Sequence, residues 1–137
     1  MSTTLACRGL RGAISIEENT ADAIGVAVKE LVGALFAANT LRPEAIASIL
    51  FSATPDLDAG YPAVAARQLG LDDVPLLCFQ EMMVPDSPPL CIRVLIHVNT
   101  TLPQAAMRHV YIGRAAALRP EWRWPRAGSG PDERRET

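Results

Sequence analysis

An apolar stretch at residues 91–99, with the sequence CIRVLIHVN, contains one permanent cation, Arg93. Side chains alternate between the two faces of a β-strand, so every second residue of this stretch shares a face. One face carries four β-branched residues: Ile92, Val94, Ile96 and Val98. We therefore predict a strand whose β-branched face meets the core and whose other face carries Arg93 away from it.

Helical spacing of apolar residues predicts one long helix and one short helix. Asn19 or Thr20 can cap the long helix, which we expect to end near Asn39. The short helix occupies 62–69, because proline favours a first helical turn and Gly70 favours a stop. The apolar positions of the long helix are Ile24, Val28, Leu31 and Leu35.

Short apolar runs between turn-forming residues predict five strands. Gly9 and Gly12 in the first strand mark points of close approach by a neighbouring group. The run VPDSPP after the third strand excludes regular structure, because its three prolines lack an N–H donor. The predicted strands are 5–16, 47–53, 74–82, 91–99 and 108–112.

This order of elements predicts an α/β (α+β) fold, in which a five-stranded mixed sheet carries its helices on one face. The other face then needs a cover, and in a chain of 137 residues we expect another copy of the chain to supply it. We expect a single domain at 1–124. Residues 125–137 are rich in glycine, proline and charge, which predicts a mobile tail.

The composition excludes several classes of function. A hydrophobic fraction of 49% and a net charge of −2 are ordinary for a globular protein and predict no binding to nucleic acid or to membranes. No apolar run approaches the roughly 20 residues that span a bilayer, and no signal peptide is evident. The three cysteines lack a C-x-x-C pair, which predicts reduced thiols in the cytoplasm and no metal site.

Residues at strand ends suggest a binding site for a small anion. Arg93 must be paired or must bind an anion, and an interface salt bridge is the alternative interpretation. Cys78 and Glu81 have opposite parity, so they share one site only if the strand ends or bulges between them. The alternatives are a core thiol for Cys78 and a solvated strand end for Glu81.

Two further segments supply cations. The segment RGLRGA carries Arg8 and Arg11 beside glycines, but it lacks the pattern of a phosphate-binding loop. The segment RHVYIGRAAALRP carries four more candidates, each typical of a surface when taken alone. These arginines, with one glutamate, a tyrosine and a thiol at strand ends, indicate binding of a small polyanion and do not supply an evident nucleophile. The four candidates are Arg108, Tyr111, Arg114 and Arg119.

The segments RGLRGA, SATPDL, CFQEM, CIRVL and RHVY…ALRP resemble, in order and spacing, the small monofunctional chorismate mutases. The resemblance covers about residues 8–122 and is to the trimeric, pseudo-α/β-barrel class. It implies conversion of chorismate to prephenate in phenylalanine and tyrosine biosynthesis. That pericyclic rearrangement needs no cofactor, metal or covalent intermediate. The resemblance also implies a cytoplasmic homotrimer with active sites between subunits.

The resemblance assigns a role to each matching residue. Arg11 would bind a substrate carboxylate, and Arg93 would donate to the ether oxygen of the breaking bond. Glu81 and the backbone near Cys78 would bind the ring hydroxyl, with the thiol close to it. Tyr111 would touch the side-chain carboxylate.

The resemblance also implies a second group of residues at the edge of the site. Arg67 and Arg119 would guard its mouth, and Tyr61, Ala63 and Leu118 would form its apolar walls. Tyr61 departs from the family, which commonly has phenylalanine there. The loop at 83–90 departs as well, since it replaces a glycine-containing loop.

Two other classes of function compete with this interpretation. One is a non-mutase trimer that binds small carboxylates, or an imine deaminase-like enzyme with clefts between subunits. The other is a regulatory module that senses an aromatic amino acid. The joint presence of Arg11, Glu81, Arg93 and Tyr111 favours the mutase over both.

Overall fold

The computed structural model describes residues 3–125, which contain one five-stranded mixed sheet. The strand order across the sheet is β3-β2-β4-β1-β5. Strand β4 is antiparallel to both β1 and β2, whereas β3 and β5 are parallel to their neighbours. The predicted mixed sheet is therefore confirmed. The strands are β1 (Ala6–Ser15), β2 (Ile46–Ala53), β3 (Leu76–Gln80), β4 (Cys91–Thr100) and β5 (Val110–Ile112).

Both predicted helices are present. The long helix α1 spans Ala21–Asn39, and the hydroxyl of Thr20 caps it by accepting a hydrogen bond from the N–H of Ala23. The short helix α2 spans Pro62–Arg67. Four 3₁₀ turns connect the elements at Pro43–Ala45, Gln104–Ala106, Gly113–Ala117 and Pro120–Trp122.

The main core lies between the sheet and helix α1. The four β-branched residues of β4 are no more than 3% exposed, which confirms that their face meets the core. Helix α1 approaches β1 closely at Gly12. A methyl group there would lie 2.9 Å from the Leu35 side chain and 3.0 Å from Leu31, so only glycine fits without movement. At Gly9 an added methyl would make ordinary contacts, so that predicted close approach is wrong.

The opposite face of the sheet carries Arg93, and we call it the Arg93 face; Arg11, Ser52 and Leu95 share it. The 3₁₀ turn at Gly113–Ala117 covers the part of this face next to β5. A second, smaller core forms there. Its buried members are Ala13, Cys91, Tyr111, Ala115 and Ala116. The expectation of a fully uncovered face is therefore wrong at this end of the sheet.

Several predicted boundaries differ from the structure. Strand β3 is two residues shorter at each end than predicted. Helix α2 ends at Arg67, two residues earlier than predicted, and Gly70 follows with a φ of +86°. Strand β5 begins at Val110, because the side chain of Asn39 binds both backbone groups of Arg108 at 2.8 and 2.9 Å. An amide side chain thus replaces a strand neighbour at this residue.

No helix among residues 3–125 is long and apolar enough to cross a membrane. The predicted mobile tail, apart from Pro125, lies outside the described residues.

Candidate active site

Arg93 sits in the middle of the Arg93 face between two small neighbours. Its register partners are Ala13 on β1 and Ser52 on β2, which leave room for a guanidinium above the sheet. The Arg93 side chain is 23% exposed, and its Nε lies 3.4 Å from Oε2 of Glu81. A partly buried cation is therefore placed next to a carboxylate, as a half-buried charge requires.

Glu81 directly follows β3, and its side chain reaches Arg93. The N–H of Glu81 donates to the carbonyl of Ala53 at 2.9 Å, so pairing with β2 continues one residue past the strand. The hydroxyl of Ser52 donates to Oε2 of Glu81 at 2.7 Å. Three adjacent strands therefore fix this carboxylate and its cation relative to each other.

The surroundings of Glu81 keep it ionised. Partial burial raises its pKa, but the Ser52 hydroxyl, the charge of Arg93, the N–H of Met82 and the charge of Arg11 together outweigh that effect. The pKa of Glu81 therefore lies below its ordinary value. At neutral pH this residue is a hydrogen-bond acceptor and not a proton donor.

Arg11 and Tyr111 lie on the same face beside this pair. The guanidinium carbon of Arg11 is 6.0 Å from the centre of the Tyr111 ring. Tyr111 is 0% exposed, and its hydroxyl is buried without a hydrogen-bond partner among the described residues. Burial raises the pKa of Tyr111, against the opposing charges of Arg11, Arg93 and Arg119, so the phenol stays protonated.

We call Arg11, Glu81, Arg93 and Tyr111 the arginine cluster. Leaving a buried hydroxyl unsatisfied costs about 1–3 kcal/mol, so this group needs a partner, which a water molecule, a ligand or a second chain can supply. The cluster offers two guanidinium groups, one phenol and one carboxylate. This set can hold a small anion with a hydroxyl group.

Arg119 stands next to the cluster. Its Nε and Nη2 contact Oε2 of Glu121 at 3.0 and 2.9 Å, and its guanidinium carbon is 3.6 Å from the ring centre of Trp122. Leu118 packs against the small core around Tyr111. Arg119 and Leu118 are thus on the same side of the sheet as the cluster.

The remaining predicted site residues lie elsewhere in the chain. Cys78 pairs in register with Phe51, which is 0% exposed in the main core, so its thiol points toward the helices. Cys78 lines a cleft of about 500 Å³ together with Tyr61, which is 73% exposed. The structure therefore places the Cys78 thiol and the Glu81 carboxylate on different faces of the sheet.

Helix α2 carries two more of the predicted site residues, Ala63 and Arg67. Ala63 is 7% exposed and faces inward, while Arg67 ends the helix with an exposed side chain. We call Tyr61, Ala63, Arg67 and Cys78 the α2-side group. Ser52 lines the same cleft and also binds Glu81, so the cleft adjoins the arginine cluster at that residue.

Four residues differ from the sequence interpretation or escaped it. Arg108 and Tyr111 are 6% and 0% exposed, so a surface location is wrong for both. Ser52 was not predicted as a site residue, although the parity of β2 puts it beside Arg93. Trp122 was not predicted either, because its ring contacts depend on the path of a 3₁₀ turn.

Among residues 3–125, no group of three histidine, cysteine or acidic side chains is placed to hold a metal ion. Within that range the cluster consists of fixed charges and hydrogen-bonding groups. Such a site acts on a bound substrate by positioning it and by stabilising charge.

The chain is similar to several known proteins. The family described as chorismate mutase type I matches residues 7–122. Chorismate mutase AroH of Thermus thermophilus is 47% identical over 115 residues, which are 83% of this chain and 94% of that protein. Chorismate mutase AroH of Bacillus subtilis (strain 168) is 43% identical over 115 residues, 83% of this chain and 91% of that protein. A solved chorismate mutase from Clostridium thermocellum shares 40% identity with a TM-score of 0.78, covering 80% of this chain and 97% of that one.

Proposed function

The chain belongs to the chorismate mutase type I family, and we propose how its residues rearrange chorismate to prephenate. As a chorismate mutase it is an isomerase of aromatic amino acid biosynthesis. The observation that carries our account is the Arg93–Glu81 pair, which lies on the same face as Arg11 and Tyr111.

Arg93 stabilises the transition state electrostatically. In the rearrangement the C–O bond breaks ahead of C–C bond formation, so negative charge grows on the ether oxygen. A guanidinium that already lies 3.4 Å from the Glu81 carboxylate meets that charge with little reorganisation. It therefore stabilises the transition state more than the bound substrate.

The other members of the arginine cluster bind the polar groups of chorismate. Arg11 binds one carboxylate, and the buried hydroxyl of Tyr111 donates to the side-chain carboxylate. Ionised Glu81 accepts a hydrogen bond from the ring hydroxyl, near the backbone of Cys78. Holding the substrate compact in this way supplies a positioning contribution to the rate.

The complete site requires two subunits of a homotrimer. Within one chain helix α2 packs on the face of the sheet opposite Arg93, and the cleft beside it meets the arginine cluster at Ser52. The α2-side group therefore does not wall the side of its own cluster that carries Arg11 and Tyr111. Leu77 and Phe79 on β3 are 58% and 52% exposed, which supports burial of this edge by another copy. We propose that Tyr61, Ala63 and Arg67 of one subunit border the arginine cluster of the next.

A cytoplasmic location is part of this proposal. The three cysteines, Cys7, Cys78 and Cys91, are free thiols in the structure, and Cys91 is buried beside Arg93. Thiols that remain unpaired are typical of a reducing compartment.

The experiment follows chorismate disappearance and prephenate appearance with the purified protein, beside an Arg42→Ala control. Arg42 is an exposed arginine paired only loosely with Glu44 at 3.8 Å and lies far from the cluster in the chain. We expect rapid conversion by both proteins. A folded protein that leaves chorismate unchanged would contradict the proposal and would favour a carboxylate-binding role or an imine deaminase-like activity.

A further inference from the structure

Trp122 packs against two aromatic rings that are themselves linked through Arg11. Its ring is 3.9 Å from the ring of His109 and 5.6 Å from the ring of Tyr111. His109 accepts a hydrogen bond through Nδ1 from the backbone N–H of Arg11 at 2.9 Å. The guanidinium of Arg11 in turn lies over Tyr111. The indole is therefore linked to β1 and β5, the strands that carry Arg11 and Tyr111.

The backbone around Trp122 is also anchored. The N–H of Trp122 donates to the carbonyl of Arg119 at 2.9 Å, which closes the 3₁₀ turn. Two residues later the N–H of Trp124 donates to the carbonyl of Tyr111 at 2.8 Å. Arg123 also forms an isolated parallel β-bridge with Tyr111 of β5. Main-chain hydrogen bonds thus anchor the backbone that carries the indole.

Arg119 rests on this fixed indole. Its guanidinium carbon is 3.6 Å from the ring centre, which is the geometry of a cation–π contact. The Arg119 side chain is 41% exposed, so without a platform it would sample many conformations. Glu121 adds a salt bridge that holds the Nε and Nη2 atoms.

We propose that Trp122 is a positioning residue that holds the Arg119 guanidinium ready to bind a carboxylate of the substrate. This inference rests on the proposed function. Trp122 does not touch the reacting atoms, and it acts by removing the need to order Arg119 when chorismate binds. Its effect is therefore on binding, and it is equal in the ground state and the transition state.

The main test compares Trp122→Leu and Trp122→Phe with the wild type. A cation–π contact at a half-exposed site contributes about 1 kcal/mol, which corresponds to about fivefold in affinity. We expect Trp122→Leu to raise KM for chorismate about fivefold, with kcat within about twofold. Trp122→Phe keeps an aromatic ring, so its KM should lie between those of the wild type and Trp122→Leu. Trp124→Phe, at the other tryptophan, is the matched control with unchanged KM.

A double-mutant cycle separates this role from a general loss of structure. In an Arg119→Ala background, Trp122→Leu should raise KM no further, because the cation it supports is gone. An equal rise in KM in both backgrounds would overturn the proposal. If Trp122→Leu does not fold, the rise in KM caused by Trp122→Phe is compared in the presence and absence of Arg119 instead.

A fluorescence measurement tests the stack without relying on turnover. The chain has two tryptophans, so Trp124→Phe leaves Trp122 as the sole indole fluorophore. Adding Arg119→Ala to that protein should change the Trp122 emission, and prephenate should change it only while Arg119 is present. Unchanged emission after removal of Arg119 would contradict the stack itself. Failure of the wild type to convert chorismate, with the emission change observed, would instead reject the proposed function.

Discussion

At the scale of single residues, the site depends on a charge balance between Arg93 and Glu81. Their side chains are each 23% exposed, so solvent screens them less than it screens a surface pair. Removing either partner leaves the other charge partly buried, which is costlier than the pair's net contribution to stability. In the proposed mechanism the cation serves the transition state, which the pair's contribution to stability does not explain.

The lowered pKa of Glu81 predicts a pH dependence of stability. A carboxyl group whose folded pKa is below 4.5 stabilises the fold at pH values above about 4.5. That contribution is lost as the pH falls through the folded pKa. We expect the difference in free energy of unfolding between wild type and Glu81→Gln to shrink on acidification below about pH 4.5. Urea titrations of both proteins from pH 7 to pH 3 measure it, and a difference independent of pH would contradict the assignment.

The alternation of side chains along a strand allowed the face of the sheet to be predicted for single residues. The alternation in β4 placed Arg93 on the face away from the helices, and the structure confirms it. The surroundings of Tyr111 could not be predicted, because the residues that bury it come from a later 3₁₀ turn. The same holds for Trp122, whose sequence position carries no periodic signal.

At the scale of elements, the packing of α1 on β1 brings Arg11 to its position. Gly12 follows Arg11 and lies under the helix, so the strand approaches α1 closely at this residue. Adjacent side chains of β1 point to opposite faces of the sheet. Because Gly12 faces the helix, the side chain of Arg11 lies on the Arg93 face.

Gly12→Ala should therefore destabilise the fold. The methyl group would lie 2.9 Å from Leu35, 3.0 Å from Leu31 and 3.1 Å from the Val110 carbonyl, which exceeds what ordinary packing allows. Overpacking of this kind typically costs about 1–3 kcal/mol. Chemical denaturation measures the loss. Gly33→Ala is the matched control, since an added methyl there meets nothing within 4 Å and favours the helix by up to about 1 kcal/mol.

The elements themselves were predictable, but their arrangement was less so. Apolar spacing and the two candidate caps, Asn19 and Thr20, predicted α1 and the region where it begins, since these signals are local. The strand order β3-β2-β4-β1-β5 was not predicted, because five short apolar runs are compatible with many pairings. The late start of β5 also escaped prediction, since it depends on Asn39 from a distant helix.

At the scale of the whole molecule, the two halves of the proposed site lie on opposite faces of one sheet. Arg93 faces away from the helices, whereas Arg67 ends a helix on the other side. A closed trimer brings unlike surfaces of neighbouring subunits together at each interface. The proposed active site is therefore a property of the assembly.

This division predicts complementation between two defective subunits. Arg67→Ala and Arg93→Ala homotrimers should both have reduced kcat/KM. In trimers assembled from equal amounts of the two chains, about a quarter of the sites should contain both intact residues. We expect refolded mixtures to reach about a quarter of wild-type kcat/KM. Activity equal to the mean of the two separate variants would place both residues in the same subunit's site.

In the proposed mechanism the Arg93 guanidinium stabilises the charge that develops on the ether oxygen. The most direct measurement is kcat for chorismate with Arg93→Ala and Arg93→Lys beside the wild type, after both variants are shown to be folded. Losing one preorganised donor costs about 3 kcal/mol or more, so kcat should fall at least about a hundredfold in the alanine variant. The lysine variant should also be severely impaired, since a flexible point charge does not reproduce the planar fork. Near-normal kcat for Arg93→Ala would leave the family assignment standing and would refute this mechanism.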